Sequence, residues 1–238
     1  MNRAFDADQP RETACPSRRA LRLALAAPAL AGLVGAAIPR PASAAATHIT
    51  MPLQLDYTKL HANTTSGEWG ADEPYVVLYV ADLSQPGVVA LTLRTTFQKM
   101  SKGDTDKQPT HLWATTGGRA PIADTNDVLV LAALMEHDSS DPEVIQNNVD
   151  SRVRNTLAAN RSLSRTSLVS KLRTEMDVAL DQAAQGASGN DDDRIGGTKS
   201  LELTPGNVLD ASNGSAVPLK LRFSDGHANY DATFTLSR

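Results

Sequence analysis

Residues 217–236 read VPLKLRFSDGHANYDATFTL. Val217, Leu219, Leu221 and Phe223 alternate with polar or basic neighbours, Asp225 and Gly226 supply a turn, and Tyr230, Ala232, Phe234 and Leu236 alternate again. A period of two on both sides of a turn predicts an antiparallel hairpin with its apolar face toward a core. The same signature recurs near the other end, where Leu53, Leu55 and Tyr57 alternate with Gln54 and Asp56. Tyr75 to Val80 is a continuous apolar run bracketed by Pro74 and Asp82, and Val88 to Phe97 mixes β-branched and apolar residues. The segment Asp127 to Met135 is apolar after its first residue. It reads as an inner strand buried on both faces, with a buried helix as the alternative that periodicity leaves open.

Between these β blocks the period changes. Ile145, Val149, Val153 and Leu157 recur every four residues, and so do Leu168, Leu172, Met176 and Leu180. Each set is one apolar stripe of an amphipathic helix. Ser140-Asp141-Pro142-Glu143 is a helix start, either as a capping box of Ser140 and Glu143 or with Asp141 capping a helix that begins at Pro142. The stretch from Gln185 to Asn190 is a flexible exit. The expected fold is therefore mainly β, an antiparallel β-sandwich with an inserted two-helix hairpin at about 142–186, in one domain spanning 45–238.

The first 44 residues carry a different message. Ser17, Arg18, Arg19, Ala20, Leu21, Arg22 and Leu23 resemble the twin-arginine export consensus. A run of small and apolar residues follows from Leu23 to Ile38, and Ala42-Ser43-Ala44 supplies a cleavage site. The expectation is an exported protein, periplasmic or extracellular, that begins near Ala45. Six of its 23 Lys and Arg and three of its 27 Asp and Glu lie in residues 1–44, so 17 basic and 24 acidic residues remain. That acidic balance argues against a nucleic-acid partner and suits a bound cation. The single cysteine, Cys15, leaves with the signal, which excludes disulfides and thiol chemistry from the domain.

Acidic residues gather at the ends of the expected strands: Asp72 and Glu73 before Tyr75, Glu136, Asp138 and Asp141 after Met135, and Asp191, Asp192 and Asp193 before Arg194. Carboxylates brought to one tip repel one another unless a hard cation lies between them, and calcium takes six to eight such oxygens. The other reading is that each cluster is a solvated loop or a helix cap. Scattered histidines show no zinc spacing, and there is no nucleophile elbow, phosphate-cradling loop or dinucleotide fingerprint. Asp104-Thr105-Asp106 begins like a calcium loop but lacks its glycine and closing Glu, and so reads as a turn.

Asp72-Glu73-Pro74-Tyr75-Val76-Val77 resembles the D-P-Y-V that opens the second strand of C2 domains, the calcium- and lipid-binding β-sandwiches. Leu134-Met135-Glu136-His137-Asp138 resembles that family's apolar strand ending in D-x-D, and Asp192-Asp193-Arg194-Ile195-Gly196 its D-D-x-I-G. The resemblance implies that Asp72, Glu136, Asp138 and Asp193, with Asp192 and Asp141 beside them, coordinate calcium at one tip. It departs from the family in two places: Glu136 replaces the first Asp, and the helical hairpin splits the D-x-D from the D-D-x-I-G. For the first loop's earlier acidic ligand, Glu68 is the nearest candidate. Membrane-surface contact is also implied, yet Trp69 is the one aromatic that the tips offer it. Three functions follow as expectations: a secreted calcium-binding module, a protein-interaction or self-association module acting through the apolar face of the hairpin, and a metal-dependent hydrolase.

Overall fold

The computed structural model describes residues 51–66, 71–113, 120–184 and 192–238. The expected signal segment, Glu68, Trp69 and Asp191 lie outside the described residues. Among the described residues, eleven strands and three α-helices follow one another. The strands are β1 (Pro52–Thr64), β2 (Pro74–Asp82), β3 (Val89–Arg94), β4 (Thr105–Asp106), β5 (Thr110–Trp113), β6 (Ala120–Pro121), β7 (Val128–Glu136), β8 (Asp193–Arg194), β9 (Lys199–Ser200), β10 (Val217–Ser224) and β11 (Asn229–Ser237). The helices are α1 (Pro142–Asn160), α2 (Arg165–Ala184) and α3 (Pro205–Ser212).

These strands form two antiparallel sheets. One runs β10-β11-β1, with β4, β5 and β6 along the far edge of β1; the other runs β3-β2-β7, with β8 and β9 along the far edge of β7. The C-terminal hairpin has the register that its alternation predicts, pairing Val217 with Leu236, Leu219 with Phe234, Leu221 with Ala232 and Phe223 with Tyr230. Its turn is closed by Gly226 at φ 101° and by Asp225, whose carboxylate accepts the N–H groups of His227 and Ala228.

Every residue of β7 is buried, as is every residue of β2 except Asp82. Val76, Leu78, Val80, Val130, Ala132 and Leu134 point into the sandwich and meet Leu55, Tyr57, Tyr230 and Phe234. The alternate residues, Tyr75, Val77, Tyr79, Leu129, Leu131 and Met135, point the other way and meet the stripes of α1 and α2. The continuous apolar runs of the sequence are thus strands covered on both faces, and the described residues stack in three layers: sheet, sheet, helical hairpin.

The placement of the hairpin differs from one sequence expectation. Its stripes, including Leu172 and Met176, are spent on the chain's own sheet and are not left open. Arginines complete the attachment by donating to carbonyl oxygens at the margins of the sheet. Arg154 reaches Ala90, Arg161 reaches Leu83, Gln85 and Gly87, Arg165 reaches Asn126 and Val128, and Arg173 reaches Thr198. Such bonds satisfy backbone acceptors that a strand or loop end leaves open.

One local expectation is corrected, and one short helix was not foreseen. Thr105 and Asp106, read as part of a turn, pair with His61 and Leu60 as β4, because Gly103 at φ 94° turns the chain one residue earlier. α3 went unforeseen, although Thr204 and Asn207 form a capping box with Pro205 at its first turn; two buried residues, Val208 and Ala211, are too few to give a periodic signal.

Candidate acidic tip

β7 and β8 are neighbours in one sheet although 56 residues separate Glu136 from Asp193 in number. Met135 pairs with Arg194 and Glu136 with Asp193. The D-x-D and D-D-x-I-G segments therefore meet, and the whole hairpin is carried in the connection between two antiparallel strands. Gly196 explains the end of the second segment. Its φ is +74°, and a Cβ there would stand 2.7 Å from the Ser224 carbonyl oxygen, so only glycine lets the chain turn against the end of β10 while Ile195 enters the core.

Asp192 is the hub. Its side chain is fully buried, and one oxygen accepts three consecutive backbone N–H groups, those of Asp138 at 2.9 Å, Ser139 at 3.0 Å and Ser140 at 2.9 Å. The other oxygen accepts the Tyr75 hydroxyl at 3.0 Å and lies 3.4 Å from His137 Nδ1. Burial opposes ionisation of Asp192, but the N–H groups of Asp138 and Ser140, the Tyr75 hydroxyl and the Ser139 N–H together outweigh it and hold the carboxyl below its usual range. Ser140 in turn donates its hydroxyl to the Ala184 carbonyl at 2.9 Å, tying the start of α1 to the end of α2.

The other candidates fall into separate roles. Asp72 is buried and accepts the Tyr230 hydroxyl at 2.5 Å and both the N–H and the hydroxyl of Ser66 at 2.9 and 2.8 Å. Glu136 is buried beside it and accepts the Glu73 N–H at 3.4 Å. Burial, then the hydrogen bond to Asp72, then the charges of Asp72, Glu136 and Asp225 push the Tyr230 hydroxyl pKa upward. Asp141 is the N-cap of α1 and accepts the Glu143 N–H at 2.9 Å, the capping alternative of the sequence reading. Asp138 and Asp193 are exposed. Partial burial, then the charges of Asp192 and Asp193, raise the Asp138 carboxyl above its usual range, against opposing contributions from His137 and Glu136.

Sequence reasoning missed the polar partners of this tip. Tyr75 and Tyr230 read as apolar strand positions, and alternation says nothing of where a hydroxyl ends. Phe97 was read as the end of a strand, but it lies beyond β3, 37% exposed, and stacks on the His137 ring at 4.0 Å. Tyr75 meets the same ring edge-on at 6.4 Å. Among the described residues no group of three or more His, Cys, Asp and Glu side chains stands ready to hold a metal ion. Nor does any described helix have the length and apolarity to cross a membrane. No family model matches the chain, and no curated protein is significantly similar to it.

Proposed function

We propose that this chain is an exported calcium-binding β-sandwich module, similar to C2 domains, whose ion is held by Glu136, Asp138 and Asp193. The observation that carries the reading is the register of β7 and β8, which sets Glu136 against Asp193 with Asp138 two residues beyond Glu136; burial and then the charges of Asp192 and Asp193 raise the Asp138 carboxyl there. A hard cation beside Asp138 and Asp193 turns the repulsion between their charges into attraction, and Glu136 at the end of β7 adds a third carboxylate. Asp72, Asp141 and Asp192 serve differently: each is engaged by hydrogen-bond donors of the chain. They shape the loops around the ion, and Asp72 and Asp192 add negative potential. Because no ready cage of three such side chains exists among the described residues, Glu136, Asp138 and Asp193 must be drawn together at each binding event. That matches a dissociation constant on the order of 10⁻⁴–10⁻³ M, as in extracellular calcium modules.

The test is thermal unfolding of the chain in chelator and then across a millimolar calcium series, with magnesium as the control. A ligand that binds only the native state raises the midpoint. The reading requires a calcium-selective rise that disappears in Asp138→Asn and in Asp193→Asn. No rise at saturating calcium, or one that survives both substitutions, sinks it.

A further inference from the structure

β3 is the outermost strand on one side of its sheet, and β2 is its one strand partner among the described residues. Thr95 donates its N–H to the Val76 carbonyl at 3.0 Å. Bonding alternates along an antiparallel ladder, so Leu91 and Leu93 turn their backbone groups toward β2 and Ala90, Thr92 and Arg94 turn theirs away. Two of those outward carbonyls are occupied, both from α1. Gln146 Nε2 donates to Thr92 O at 2.8 Å, and Arg154 Nη2 donates to Ala90 O at 3.0 Å. Between them Asp150 accepts the Thr92 hydroxyl at 2.7 Å and grips the Arg154 guanidinium at 3.1 and 2.8 Å. Positions 146, 150 and 154 form one row on the helix surface.

We propose that the row Gln146, Asp150 and Arg154 guards the β3 edge, and that the occupant it excludes is the β3 strand of a second copy of this chain. An open edge of N–H and C=O groups is a template for another strand. The outward residues of β3 are symmetric about Thr92, so a two-fold antiparallel pairing sets Thr92 against Thr92 of the second copy and Ala90 against Arg94. Backbone donors then meet acceptors, and Arg94 faces Ala90 instead of another arginine, which leaves the pairing free of direct like-charge repulsion. The helix side chains occupy the acceptors that this pairing needs.

The test is the Gln146→Ala/Arg154→Ala double variant, its fold checked by circular dichroism, with mass measured by light scattering over a wide concentration series. The parent mass should stay constant, and the variant mass should climb toward twice its starting value. Backbone amides of Ala90, Thr92 and Arg94 should gain protection from hydrogen exchange in the associated form. Adding Ala90→Pro deletes one outward N–H without breaking a bond to β2, and should return the variant to its starting mass. A variant mass that follows the parent at every concentration overturns the proposal, as does association that survives Ala90→Pro. If the double variant fails to fold, Gln146→Ala alone is titrated with a labelled peptide spanning Val88–Thr95. Binding to Gln146→Ala and none to the parent supports the guard; equal behaviour of the two overturns it.

Discussion

Removing the Asp192 carboxylate by Asp192→Ala strands four hydrogen-bond donors at once. They are not equivalent. The N–H groups of Asp138 and Ser139 belong to exposed residues and find water, while the Ser140 N–H and the Tyr75 hydroxyl are in buried surroundings. A buried donor left without an acceptor costs about 1–3 kcal/mol. Alanine also relieves the desolvation of a buried charge, which offsets part of that sum, so the expected loss is about 3–4 kcal/mol. For a domain of this size each kcal/mol moves the midpoint by roughly 2–4 °C, which gives a fall of roughly 6–16 °C. Denaturant unfolding followed by circular dichroism measures it. Tyr75→Phe removes one of the four donors and should cost about 1 kcal/mol alone. In the Asp192→Ala background it should instead recover part of the loss, because it removes a buried hydroxyl that no longer has an acceptor. A loss below about 1 kcal/mol for Asp192→Ala, or simple additivity with Tyr75→Phe, would refute the role assigned to this carboxylate.

The same residue sets a pH dependence. The Asp192 carboxyl lies below its usual range in the fold, so its stabilisation is complete above the unfolded-state pKa of about 3.8 and is lost as pH falls through the lower folded value. Asp192→Asn should flatten the acid limb of a stability-versus-pH curve, and an unchanged limb counts against the assignment. Gly196→Ala forces a side chain into a left-handed backbone and against the Ser224 carbonyl; a loss of about 2–4 kcal/mol is expected in denaturant unfolding, and near-neutrality would mean that the turn relaxes freely. Leu172→Ala opens a cavity beneath α2, where the side chain is fully buried against the sheet. Unfolding should show a loss of about 2–5 kcal/mol with no change of mass by light scattering; a fall in mass with stability intact would restore a self-association role to the stripe.

Much of the fold is legible in local pattern. The hairpin of β10 and β11 and both long helices each bury one face, which imposes a period, while the inner strands β2 and β7 bury both faces, which makes them apolar throughout. The helix start at Asp141 was legible because capping is chemistry between neighbours in sequence. The short strands β4, β5, β6, β8 and β9 were not, since two to four residues carry no period and exist only because a longer strand offers them an edge. At the tip, the acidic residues were visible by type and their assignments were not. Asp141 and Asp192 look alike in the sequence, yet one caps its own helix and the other satisfies a turn more than fifty residues away.

By itself the sequence determined a mainly β chain interrupted by two amphipathic helices, with carboxylates at strand ends, because each of these follows from side-chain type and spacing over a few residues. Only the tertiary structure decided that the apolar stripes of the hairpin cover the chain's own sheet. It alone paired Glu136 with Asp193 across the insertion and committed Asp72 and Asp192 to hydroxyl and N–H donors. A stripe or a carboxylate declares what it needs, an apolar neighbour or a proton donor, but which distant segment meets that need depends on how the layers stack and how β7 and β8 come into register.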